Sequence, residues 1–152
     1  MASVMWLNLL NYLSKLIISF DEYLAVENAS RQTRKNYKSD LHTFFTWFCE
    51  SKQTAAPATH IQSPADALRP ITADSINEFK RELRITHTPT ATINRRLCAL
   101  RTFFRYAMLN GWVQNNPAQY VPNIPQPKKT PEISKYIALP PVQMLPSVLD
   151  LP

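Results

Sequence analysis

A chain of 152 residues has the length of one ordinary domain, and its net charge of +6 favours an anionic partner. One glycine against 13 prolines leaves too few tight turns for a strand-rich fold and points to helices. Two cysteines and three histidines, scattered without ligand spacing, argue against a metal site, and the lack of a glycine-rich loop argues against nucleotide chemistry.

The first periodic segment runs from about Val4 to Glu27, with a break expected near Ser19. Its start, VMWLNLLNYLSKLIISF, lacks a basic lead and a small-residue cleavage signature. Asn8, Asn11, Ser14 and Lys15 interrupt it, so it reads as neither a signal peptide nor a membrane span. It is more apolar than one buried face requires, which suggests packing against another protein chain or against a further domain. A second helix begins after Ser30, whose hydroxyl suits an N-cap. It carries Tyr37, Leu41, Phe44, Phe45 and Phe48 as a core stripe.

Residues 53–70 hold three prolines with Ala, Thr and Ser, show no period, and read as a long surface loop. Thr72 caps a third helix that turns Ile76, Phe79 and Leu83 inward, while its acidic and basic residues cancel. The fourth helix starts near Thr90 as cap and stops at Asn110 and Gly111. Its expected buried face is Ile93, Leu97, Leu100, Phe104, Ala107 and Met108. A last short helix is expected from Asn116 to Tyr120, followed by a proline-rich extended linker. Cys49 and Cys98 fall inside apolar helical patterns and read as buried, reduced thiols of a cytosolic protein.

Two helix starts concentrate the charge. Arg31, Arg34, Lys35 and Lys38 share one face of the second helix. The stretch from Thr92 to Trp112 carries Arg95, Arg96, Arg101 and Arg105 with no acidic residue. A solvated surface usually mixes signs, and this one does not. Such a surface suits a duplex backbone, with Thr33, Asn36, Thr92 and Asn94 as short polar partners for phosphates or base edges.

The runs ENASRQTRKNYKSDLHTFFTWF, ITADSINEFKREL and TATINRRLCALRTFFRYAMLNGWVQNNPA, in that order and spacing, resemble the N-terminal core-binding domain of tyrosine recombinases, the phage-integrase family. The resemblance spans about Ile18 to Val121. It implies an all-α SAM-like bundle of four to five helices that covers one side of a recombination half-site in double-stranded DNA, alongside other recombinase protomers. It places Thr33, Lys35, Asn36, Thr92, Asn94 and Arg95 at the groove, and Arg31, Arg34, Lys38 and Arg96 on phosphates. Arg101 and Arg105 are expected mainly as solvated charges. The implied organisation is an N-terminal helical extension over 1–17, the core-binding domain over 18–122, and a linker with the threshold of a catalytic domain over 123–152.

Family chemistry needs a tyrosine nucleophile with two arginines, a lysine and histidines around the phosphate. No arginine follows Arg105, and Tyr120 and Tyr136 have no such neighbours. The chain is therefore expected to bind DNA without cutting it, using no cofactor, small-molecule substrate or membrane. The competing reading is a protein-interaction module that uses the apolar N-terminal helix.

Overall fold

The computed structural model describes residues 4–52 and 61–126. Five α-helices are present there, α1 (Val4–Val26), α2 (Arg31–Ser51), α3 (Pro64–Leu68), α4 (Ala73–Ile85) and α5 (Thr90–Leu109), and no strand occurs among the described residues. Helix α1 lies against α2 and α3, and α5 lies against α2 and α4.

The core is aromatic. All seven phenylalanines are fully buried. Phe103 is their hub, meeting Phe20 of α1 edge-on at 5.4 Å, Phe45 of α2 at 5.5 Å and its neighbour Phe104 at 5.3 Å between ring centroids. Edge-to-face pairs of this kind each contribute about 0.5–1.5 kcal/mol beyond area burial. Three helices thus converge on one ring, which fixes the placement of α2 beside α5.

Three helices end alike. Asn28, His87 and Gly111 have φ of 63°, 60° and 74°. In each case the next residue's amide reaches back five positions, Ala29 to Leu24, Thr88 to Leu83 and Trp112 to Ala107, as a Schellman closure does. Gly111 suits that left-handed position without strain, whereas Asn28 and His87 occupy it with side chains present.

Several expectations change. Helix α1 is unbroken at Ser19, because no proline or glycine interrupts it and the Ser19 hydroxyl is engaged by the Tyr106 hydroxyl. Its buried residues Trp6, Leu9, Leu13, Leu16 and Ile17 belong to the same core as Phe20, so the helix runs straight through the boundary drawn at residue 17. The loop expected over 53–70 contains α3, started by the Ser63 cap and Pro64 and held by buried Ala67 and Leu68; residues 53–60 lie outside the described part. Pro89, rather than Thr90, occupies the N-cap of α5, with no side-chain cap.

Residues 117–120 form turns rather than a helix, because the Asn116 side chain closes the segment through the Ala118 amide and the Arg101 carbonyl. Met108 and Cys98 are exposed, whereas Phe103 and Ala99 are buried. The expected stripe is buried at Ile93, Leu97, Leu100, Phe104 and Ala107, and the inward face is wider than expected on the side of Ala99, Phe103 and Tyr106, leaving Met108 outside it. The linker residues 127–152, Tyr136 included, lie outside the described part.

Candidate nucleic-acid interface

The first two turns of α2 are held by a well-formed cap. Ser30 accepts the Thr33 amide at 3.1 Å and donates to the Thr33 hydroxyl at 2.9 Å. Asn36 accepts from Gln32 at 3.0 Å. Arg31 and Lys35 are exposed and make no ion pair among the described residues. Arg34 instead donates from Nε and Nη2 to the two oxygens of Asp21 on α1, both at 2.9 Å, and Lys38 lies 3.6 Å from the same carboxylate. The Arg34 hydrogen bonds hold the Asp21 carboxyl below the usual carboxylate range, against the opposing effect of its burial.

Helix α5 repeats this arrangement. Arg95 donates from Nε and Nη2 to both oxygens of Asp40 on α2, at 2.9 and 2.7 Å, and Arg96 Nε lies 3.6 Å from Asp40 Oδ1. The Asp40 side chain is 1% exposed and that of Arg95 is 41% exposed. Arg96 Nε is buried without a hydrogen-bond acceptor. Beside this pair the Tyr37 hydroxyl meets Cys98 Sγ at 3.3 Å. Burial first, and the Cys98 contact second, push the Tyr37 phenol up to about 12. These contacts bring the basic first halves of α2 and α5 together on one surface.

Each aspartate therefore serves two cations. Asp21 gathers Arg34 with Lys38, and Asp40 gathers Arg95 with Arg96, so each group carries a net single positive charge. The aspartates were not among the residues singled out from sequence. Asp40 did carry a signal, an acid beside an aromatic stripe that must face a helix bearing four arginines and no acid.

Asn94 and Arg101 are engaged elsewhere. The Asn94 carboxamide exchanges two hydrogen bonds with the backbone of Ile124, at 2.8 and 2.9 Å. Arg101 is not the expected solvated charge. It donates to the carbonyls of Ala118 at 3.3 Å and Val121 at 2.6 Å and to Asn123 at 2.7 Å, because the returning segment 116–124 supplies acceptors along α5. Lys80 of α4 adds a bond to the Pro122 carbonyl. Arg105 remains exposed, Thr92 is half-buried, and Tyr120 is exposed.

Of the α4 charges, Lys80, Arg81 and Arg84 line one face together with Asn77 and the single acid Asp74, whereas Glu78 is drawn to Lys52 on the α2 side at 2.9 Å. Burial, then repulsion from Arg84 and Arg101, lowers the Lys80 ammonium from its ordinary range. Arg81 and Arg84 are exposed and make no ion pair among the described residues. Among the described residues no histidine, cysteine, aspartate and glutamate group is arranged to hold a metal, and no helix is long and apolar enough to cross a membrane.

The fold and this surface define an all-α domain with two adjoining cationic helix starts. Residues 17–111 match the family described as the phage integrase N-terminal SAM-like domain, and the chain belongs to that family. Its relatives include the tyrosine recombinase XerC of Syntrophus aciditrophicus (strain SB), 31% identical over 126 residues, covering 82% of this chain and 37% of the relative. The tyrosine recombinase XerD of Lacticaseibacillus casei is 31% identical over 115 residues, covering 75% and 33%. The XerC of Chlamydia muridarum (strain MoPn / Nigg) is 28% identical over 128 residues, covering 78% and 40%. The chain thus spans between about a third and two fifths of the length of these relatives. No solved structure matches it significantly.

Proposed function

We propose that this domain grips duplex DNA at one half-site of a recombination or integration reaction in the cytoplasm, alongside other recombinase protomers, and contributes no catalytic residue of its own. The observation that carries this reading is the adjoining of the α2 and α5 basic segments through Asp40–Arg95 and Tyr37–Cys98. Neither helix has an acidic residue in its first turn, and α5 starts without a side-chain cap, a combination that favours phosphate. Arg31, Arg34, Lys38 and Arg96 hold phosphates; Lys35, Thr92 and Arg95 face the groove. Thr33 and Asn36 reach it from within their local hydrogen bonds, and Asn94 only by leaving Ile124. Arg81 and Arg84 extend the backbone contact along α4. The core-binding unit takes in the whole of α1, whose residues from Trp6 onward share its core, and extends to about residue 122.

Fluorescence anisotropy with a short duplex across a salt series tests the reading. Affinity should fall steeply with salt, since each neutralised phosphate releases counterions, and a Lys35→Ala, Arg95→Ala variant should bind more weakly. No binding at low salt would refute it.

A second reading, docking of another protein on α1, draws on the exposure of Val4, Leu7, Ile18 and Val26 along that helix. Deleting the helix would remove core residues, so the useful variant is Leu7→Gln, Ile18→Gln. Concentration-dependent association without DNA that this variant abolishes would favour the second reading.

A further inference from the structure

Asp40 and Ser75 are the only polar or charged residues buried among the described ones. A carboxylate taken out of water is costly unless it is paired and hydrogen-bonded, and even then an apolar group of similar size often stabilises as well. Stability alone is thus a poor reason for an acid at this position. Asp40 also removes one positive charge from the face that carries Arg95 and Arg96. On a surface evolved for tight hold on phosphates alone, such an acid would be a disadvantage.

The geometry supplies another reason. Nε and Nη2 of Arg95 are both committed to Asp40, which fixes the plane of the guanidinium. Nη1 and the second hydrogen of Nη2 remain on the adjacent, end-on edge, on a side chain 41% exposed. Two parallel donors on one rigid edge match the paired acceptors O6 and N7 of a guanine in the major groove. An unheld arginine would have to surrender its rotamer freedom on binding, whereas this one is already ordered.

We propose that Asp40 is a positioning residue that presents Arg95 as a reader of a single base pair, probing guanine in particular, at the expense of non-specific affinity. This rests on the duplex-gripping reading above. Arg96, 3.6 Å from the same carboxylate, is kept near the site without the two-pronged geometry and serves the backbone.

The test uses the full chain and a pool of short randomised duplexes, from which the wild type and Asp40→Asn are each allowed to enrich sequences. Asn keeps the shape and one acceptor but loses the charge. Expected is about a tenfold loss of discrimination at one base pair, within the range for a bidentate arginine–guanine contact, together with tighter binding to unselected duplex. In an Arg95→Ala background, Asp40→Asn should leave discrimination unchanged, because coupled residues are not additive. A merely structural aspartate would weaken all duplexes alike in both backgrounds. If Asp40→Asn fails to fold, Asp40→Glu, which keeps the charge but displaces it by a methylene, should lose discrimination with unselected binding unchanged. Retained discrimination in the folded variant overturns this inference alone, as does a wild type that binds without preferring any sequence. A wild type that binds no duplex overturns the duplex-gripping reading and this inference with it.

Discussion

Asn94 and Ile124 exchange two hydrogen bonds, the side-chain amide donating to the Ile124 carbonyl at 2.9 Å and the Ile124 amide donating back at 2.8 Å. A side chain thereby stands in for a neighbouring strand, tying the segment after Val121 to the first turns of α5. Asn94→Ala should raise amide exchange at Ile124 and cost about 1–2 kcal/mol of stability, the scale of two such bonds. Unchanged exchange at Ile124 would show that Arg101 and Lys80 hold the segment unaided.

Lys35 and Arg34 are one residue apart and should behave differently on DNA. Lys35 has no carboxylate to leave, so Lys35→Ala should reduce the slope of log affinity against log salt by about 0.9. Asp21→Asn, which releases Arg34 and Lys38, should raise affinity at low salt. Equal slopes for wild type and Lys35→Ala would place that lysine away from phosphate.

Asp21 also makes stability depend on pH. The Arg34 hydrogen bonds make it a stronger acid in the folded chain than in the unfolded one, whose carboxyl has its ordinary value of 3.8. The unfolded state therefore binds protons first on acidification. The contribution is complete above about pH 5 and is lost as pH falls through the ordinary carboxylate value towards the lower folded one. Urea midpoints measured across that window should fall with acid, and less steeply for Asp21→Asn.

On α4, replacing both Arg81 and Arg84 by alanine should lower the salt slope by about 1.8 while leaving the thermal midpoint nearly unchanged, since both side chains are exposed. An unaltered slope would confine the contact surface to α2 and α5.

The two thiols should differ in reactivity. Cys98 is exposed, whereas burial pushes the Cys49 thiol up to about 11. A thiol reagent at neutral pH should modify Cys98 in the folded protein and reach Cys49 only on unfolding, as mass spectrometry of the labelled peptides would reveal.

What could be read from the sequence was local. The Ser30 and Thr72 caps, the aromatic stripe of α2 and the Gly111 stop depend on residues within one or two turns of each other, and they stand as expected. The family was legible for the same reason, through ordered short motifs. Helix α3 escaped notice because five residues with only Ala67 and Leu68 turned inward carry no period. The face of α5 was misjudged at Met108 because Phe103 is claimed by rings of α1 and α2, which no single-helix pattern encodes. The partners of the basic residues were likewise out of reach, since Asp40 meets Arg95 across 55 positions and Asn94 meets Ile124 across 30.

The return of the chain along α5 has a mechanical consequence. A pull transmitted from beyond Gln126 meets the Asn94 clasp first, then the Arg101 fork, and reaches the aromatic core only after both have given way. Tension in the tail is thus borne by the same helix that carries Arg95 and Arg96, so whatever is tethered there is mechanically in series with that helix.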